Sequence, residues 1–145
     1  MKHNNENTNA FLLHISALAG FVFPFGSIIL PLVLWQSLKD RSQFLDQQGK
    51  EAVNFNISYT LYMFIITITA VPFFLGRIFK NHWNFNDYDW HLDLDLGIGN
   101  LFGLFGFASF AGIIGLIQLA LIILAAVKAN KGEGYKYPFT IKFIK

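Results

Sequence analysis

Long runs of apolar residues alternate with short polar segments along this chain, and this pattern decides its class. Three runs cover residues 10–38, 53–79 and 96–127. Each is longer than the roughly 20 helical residues that cross a hydrocarbon core of about 30 Å. The pattern predicts an all-α integral membrane protein, a bundle of three transmembrane helices that form a single membrane domain over residues 1–145.

The first apolar run differs from a simple span because it contains Pro24, Gly26 and Pro31. Proline removes a backbone donor, clashes with the preceding helical turn and disfavours a helical conformation in the residue before it. Two outcomes are open. The run is either one kinked crossing or is broken at Pro24 or Pro31 into a re-entrant pair, which gives four helical pieces. Because the run continues to Leu38, a cleaved signal peptide is not expected.

The distribution of charge predicts an orientation. Lysine and arginine concentrate in the loop after the first run and in the tail, residues 128–145. The positive-inside rule therefore places this first loop and the tail in the cytoplasm, and the loop at about 80–95 outside. The expected location is the bacterial cytoplasmic (inner) membrane, with several crossings. The side of the amino terminus stays open.

Composition excludes several kinds of chemistry. The chain has no cysteine, which excludes a disulfide, a thiolate nucleophile and a cysteine metal site. A formal net charge of +2 gives no argument for nucleic acid. The tail alternates Tyr, Phe and Ile with Lys, and basic groups near a cytoplasmic leaflet gain about 1 kcal/mol each. The expected partners are the lipid bilayer and other membrane subunits or further copies of the chain, without nucleic acid.

Polar side chains within the apolar runs are candidate interaction positions. His14 is an ionisable group near the start of the first run, either a proton-relay residue or a neutral histidine near the interface. Glu51, Asn54 and Ser58 recur at spacings of three and four, so they share one helix face. Gln118 is an amide deep in the third run, and the polar start of the second run offers it hydrogen-bond partners.

Small residues four apart give the third run a candidate packing surface. Such ridges let two helix backbones approach closely. The contact is either with the chain's own first two runs or with another subunit. The pairs are Gly99 with Gly103, Ala108 with Gly112, and Ala111 with Gly115.

The outer loop contains four carboxylates and a histidine: Asp87, Asp89, His91, Asp93 and Asp95. Oxygen ligands suit calcium, and an added imidazole suits zinc. The loop lacks the glycine and the closing glutamate of a calcium loop, and its alternation predicts a strand or an interfacial segment. Nothing here supplies a nucleophile. The sequence therefore predicts no catalytic, cofactor or metal site, and no enzyme.

Several motifs resemble a known family. They are His14-Ile15, Pro24-Phe25-Gly26, Trp35, Gly49-Lys50-Glu51-Ala52-x-Asn54-Phe55 and Tyr135-x-Tyr137-Pro138. The chain resembles a bacterial family of small polytopic membrane proteins without an assigned function. That family is related to the twenty-kilodalton (Tic-twenty-like) subunit of the chloroplast inner-envelope import translocon. The resemblance covers most of the chain but not the acidic loop. It implies a fold and, by analogy only, a link to protein translocation.

The leading interpretation is a non-enzymatic interaction or accessory subunit of a membrane complex. Its cytoplasmic platform would consist of residues 49–54, including Lys50, and the tail, with Glu51 paired to a tail lysine. The alternative is a small oligomeric channel or transporter built around Asn54, Ser58 and Gln118, since broken helices often mark such sites.

Overall fold

The computed structural model describes residues 2–78 and 97–145, and the regular secondary structure among these residues is helical. Four α-helices and one 3₁₀ helix follow one another in this part of the chain. They are α1 (Lys2–Ile15), the 3₁₀ helix (Ser16–Phe21), α2 (Gly26–Leu38), α3 (Gln43–Ile78) and α4 (Ile98–Asn130). The all-α class is confirmed for these residues. The acidic loop, with its predicted strand or interfacial segment, lies outside them.

The first apolar run is broken at residues 22–25, and it does not form one kinked helix. Phe25 has a left-handed backbone conformation, with φ at 61°, directly before α2. Pro24 lies in this break, whereas Pro31 lies inside α2, which continues past it to Leu38. The 3₁₀ helix packs against α2. The approach is close, because a Cβ atom on Gly26 would overlap the carbonyl oxygen of Ala19.

Within the described residues, two helices are long and apolar enough to cross a membrane, as judged by length and composition. The candidate segments are Gln43–Pro72 in α3 and Leu101–Asn130 in α4. Helix α2 is apolar but has only 13 residues, and about 1.5 Å of rise per residue leaves it short of a core about 30 Å thick. The expected count of three crossings is therefore not confirmed, because the first run is divided among three shorter elements.

The chain forms two compact units. The first contains Met1–Leu61 and Leu116–Lys145, and the second contains Tyr62–Gly115. In the second unit, large apolar side chains of α3 and α4 are exposed, as expected for surfaces that face lipid. Examples are Phe64, Ile65, Ile68, Phe102, Phe105 and Ile113. The prediction of a single membrane domain stays a prediction.

The core of the first unit shows that the chain turns back at the break. One cluster joins Ala10 and Leu13 of α1 to Trp35 and Leu38, which come from the far end of α2. A re-entrant path explains this pairing, since a straight crossing would separate the two ends. The same cluster includes Leu45, Val53 and Ala129, so α3 and α4 contribute to it.

Candidate functional site

Asn54, which is buried in α3, binds the end of the tail. Its Oδ1 atom accepts hydrogen bonds from the backbone N–H groups of Phe143 at 3.1 Å and Ile144 at 2.9 Å. Its Nδ2 atom donates to the carbonyl oxygen of Ile144 at 2.9 Å. A side-chain amide carries both a donor and an acceptor. Asn54 therefore pairs with the tail backbone much as a neighbouring strand would.

Two further polar side chains of α3 bind the tail backbone. Gln48 Oε1 accepts from the N–H of Tyr135 at 3.0 Å. Ser58 Oγ accepts from the N–H of Ile141 at 2.9 Å and donates to the carbonyl of Asn54 at 2.7 Å. We call Gln48, Asn54 and Ser58 the clamp residues. Together they fix a segment without regular secondary structure along one face of a helix.

His14 connects α1 to this clamp through side-chain contacts. The histidine is fully buried, with Nδ1 at 3.0 Å from the hydroxyl of Tyr137 and Nε2 at 3.1 Å from Gln48 Oε1. Gln48 Oε1 already accepts from a backbone N–H, so this atom is the amide oxygen and can only accept. His14 therefore carries its proton on Nε2, and the Tyr137 hydroxyl donates to Nδ1.

This buried network is neutral at pH 7. His14 lies in α1, outside both helices that qualify as membrane spans. Burial lowers the pKa of His14 to about 4, although the hydrogen bond with Gln48 acts in the opposite direction. Burial also raises the pKa of Tyr137 in the tail, with smaller contributions from Tyr135 and Glu51. Of the two interpretations of His14, the geometry favours the neutral, hydrogen-bonded histidine.

Aromatic contacts bring the tail into the core. Tyr137 stacks on Phe55 with ring centroids 4.0 Å apart, and Tyr135 meets Tyr137 edge-on at 5.1 Å. The Lys128 ammonium lies 5.7 Å from the Tyr135 ring, within reach of a cation–π interaction. Tyr137 is buried in one cluster with Phe55 and Ile122. Two of the motifs singled out in the sequence therefore contact each other directly.

Gln118 connects α4 to α3. Its Nε2 atom donates to Asn56 Oδ1 at 3.3 Å, and Asn56 Nδ2 donates to the carbonyl of Ala52 at 2.8 Å. Both amides are buried. The partner of Gln118 is thus Asn56, while Asn54 and Ser58 bind the tail. The three polar residues that were proposed to line a channel are engaged within the chain.

Lys50 and Glu51 differ in their contacts. Lys50 pairs with Asp46 at 2.6 Å, and Asp46 also accepts from the indole N–H of Trp35 at 2.9 Å. Within the described part of the chain Glu51 makes no ion pair, so the expected pairing with a tail lysine is absent there. Gly49 lies directly against Trp35, and a Cβ atom there would overlap the indole ring. At this point the Trp35 side chain of α2 packs directly against the backbone of α3.

The glycines of α4 have few neighbours. Gly99 and Gly112 are exposed, and a Cβ atom on either would meet no described atom within 4 Å. Gly103 and Gly115 are half-buried. The structure thus shows open space beside two of the four glycines that were predicted to support helix packing, and this role stays a prediction.

Sequence reasoning missed Gln48. The polar segment that contains it was interpreted as a loop, whereas α3 already begins at Gln43. A signal was present, since Gln48 precedes Glu51 by three residues and so shares its helix face.

The candidate metal ligands Asp87, Asp89, His91, Asp93 and Asp95 lie outside the described residues. Among the residues that are described, no group of three or more His, Asp or Glu side chains is placed to hold a metal ion.

In the described part of the chain, fold and site define a small helical protein with two candidate membrane spans and a tail that is bound to its own helices. The chain belongs to the magnetosome magnetite crystal formation protein family, which matches residues 5–144. No curated protein and no solved structure matches it.

The resemblance to the family related to the import translocon is wrong. The match to the magnetosome family spans the same motifs, and nothing supports a Tic-twenty-like relationship. The misleading motifs have a structural explanation, because residues 49–55 and 135–138 contact each other through the stack of Tyr137 on Phe55. Motifs that form packing contacts are evidence for a fold, and they do not by themselves indicate a function. Family membership indicates a membrane-associated accessory role, and it supports neither protein translocation nor a channel.

Proposed function

We propose that this protein is a non-enzymatic accessory protein of the membrane at which magnetite crystals form, and that it acts through contacts with lipid and with other membrane proteins. The observation that carries the proposal is the family match, which extends over residues 5–144 and thus over both candidate spans.

The hydrogen bonding of the buried polar groups supports a role without catalysis. An enzyme needs a nucleophile or a general base that faces a substrate pocket. Here the candidate groups have partners within the chain: His14 with Tyr137, Asn54 and Ser58 with the tail, and Gln118 with Asn56. These hydrogen bonds connect elements of the first unit, which is the structural role that the proposal assigns to these side chains.

The contacts of the tail also support the proposed orientation. The tail is bound to the beginning of α3, directly after the loop that carries Lys39 and Arg41. The basic tail and the basic loop therefore belong to the same compact unit. A common cytoplasmic side is consistent with the positive-inside rule.

The proposal is tested by deletion and complementation in a magnetite-forming bacterium. Crystal number, length and shape are measured by electron microscopy in the wild type, the deletion strain, and strains complemented with the wild-type or the Asn54→Ala chain. We expect altered crystals in the deletion strain and recovery with the wild-type chain. Unchanged crystals in the deletion strain would overturn the proposal. Immunoblots of the membrane fraction verify that each variant is present in equal amount.

A further inference from the structure

The clamp residues define the path of the tail. Along α3 the order is Gln48, Asn54 and Ser58, whereas the tail meets them in the order Gln48, Ser58, Asn54. The tail therefore runs along α3 as far as Ser58 and then turns back. Its turn comprises Pro138 and Phe139. We call residues 135–144 the tail hairpin.

The tip of the tail hairpin is apolar and exposed. Phe139 is 90% exposed, the highest value among the exposed large apolar side chains of the described residues. Its backbone is left-handed, with φ at 56°, a conformation that residues other than glycine seldom adopt and that persists only where surrounding contacts impose it. Gln48 binds the backbone before this turn and Ser58 binds it after the turn. The clamp residues thus flank a turn that exposes an aromatic side chain.

Cations flank this apolar tip. Lys136, Lys142 and Lys145 are exposed, as are the apolar side chains of Ile141 and Phe143. Residues 135–145 contain no Asp or Glu. Exposed aromatic and aliphatic side chains among lysines are typical of segments that lie in the interface of an anionic membrane.

The tip also lies where α3 begins to expose apolar side chains. Ser58, which binds the hairpin just after its turn, is buried, and the first exposed apolar residue that follows it in α3 is Leu61. Both lie within Gln43–Pro72, the candidate span. The turn therefore lies beside the point in the candidate span where exposed apolar side chains begin, which is the level expected for the membrane interface.

We propose that the tail hairpin is a lipid-inserting wedge, in which Phe139 enters the anionic leaflet beside α3 and the flanking lysines bind lipid headgroups. The wedge is prefolded, because Gln48, Asn54 and Ser58 fix its backbone without any contribution from lipid. This proposal does not depend on the role in magnetite formation.

The absence of cysteine from the chain makes a direct test simple. A nitroxide label is attached to full-length Phe139→Cys, and separately to Glu133→Cys, an exposed tail position ahead of the hairpin. Both proteins are reconstituted into vesicles of phosphatidylcholine mixed with phosphatidylglycerol. Electron paramagnetic resonance then measures collisions of the label with oxygen, which partitions into lipid, and with a water-soluble nickel chelate. We expect high oxygen and low nickel accessibility at position 139, and the reverse at position 133.

Other outcomes would overturn the proposal. Equal nickel accessibility at positions 139 and 133 would show that the tip stays in water. Exclusion of both reagents from position 139 would show that protein covers it, such as a second copy of this chain. The contribution of charge is tested by adding Lys136→Gln and Lys142→Gln to the labelled Phe139→Cys chain. We expect the nickel accessibility at position 139 to rise in anionic vesicles. Insertion that is independent of both the lysines and the lipid charge would refute headgroup binding.

Discussion

Tyr137 lies flat against Phe55, with ring centroids 4.0 Å apart and ring planes within 8° of parallel. This stack makes the tail part of the core of the first unit, because Tyr137 is buried while its hydroxyl bonds to His14. A tail that only lay on a membrane would need neither contact. The tail of this protein is therefore a structural element on which the packing of α1 and α3 depends.

Removal of the Tyr137 hydroxyl separates hydrogen bonding from stacking. Tyr137→Phe keeps the ring but leaves Nδ1 of His14 without its donor, and we expect a loss of about 1–3 kcal/mol in stability. Tyr137→Ala also loses the stack and the buried ring, so a larger loss of about 3–5 kcal/mol is expected. Thermal unfolding of the purified protein in detergent measures both. Equal losses for the two variants would show that the stack contributes nothing.

Asn54→Ala should release the end of the tail. Three hydrogen bonds to Phe143 and Ile144 are lost, and the peptide bonds after Lys136 and Lys142 become better trypsin substrates as a result. Limited proteolysis with mass spectrometry follows the cleavage rate. Asn130→Ala, at an exposed asparagine at the end of α4, is the matched control and should be cleaved like the wild type. Wild-type cleavage rates for Asn54→Ala would contradict the clamp.

Acid should destabilise the protein through His14. Its pKa is 6.5 in the unfolded chain and about 4 in the folded state, so between these values the unfolded chain binds more protons. The stability that the neutral histidine contributes is thus complete above about pH 6.5 and is lost as the pH falls towards 4. The groups that contact the His14 ring are Tyr137 and Gln48. Glu51 and Tyr135 in turn contribute to the raised pKa of Tyr137.

The measurement for this pH dependence is the thermal midpoint between pH 7.5 and 4.5 in the wild type and in His14→Gln. The carboxylates are the same in both proteins, so the difference between the two slopes of thermal midpoint against pH gives the contribution of His14. We expect the midpoint of the wild type to fall more steeply. Parallel curves would mean that His14 has an ordinary pKa.

Two glycines in helices should respond oppositely to alanine. In Gly49→Ala the new Cβ atom would overlap the Trp35 indole, so α2 must move away from α3 and stability should fall by about 1–3 kcal/mol, as in other overpacked cores. Gly106→Ala places its Cβ atom in open space and should stabilise α4 by up to about 1 kcal/mol. Thermal unfolding of the two variants measures both effects. A stabilised Gly49→Ala would contradict the close approach of Gly49 to Trp35.

Much of the helical fold could be predicted because it depends on local pattern. Apolar runs predict helices, and the prolines of the first run left two outcomes open, a single kinked crossing or the break that the structure has at residues 22–25. The shared face of Asn54 and Ser58 follows from helical spacing. The partner of that face could not be predicted, because the tail binds through backbone N–H and C=O groups that every residue carries. The predicted three spans are not confirmed, because the first run is divided into shorter elements.

The first unit is discontinuous in sequence, since residues 62–115 separate its two parts. During synthesis, Gln48, Asn54 and Ser58 emerge long before residues 135–144, so their polar groups await partners while the intervening helical segments are made and inserted. Contacts of such wide sequence separation close late. The first unit therefore cannot be completed before residues 135–144 have been made, and we expect defects in the clamp residues to yield a protein that is inserted but incompletely folded.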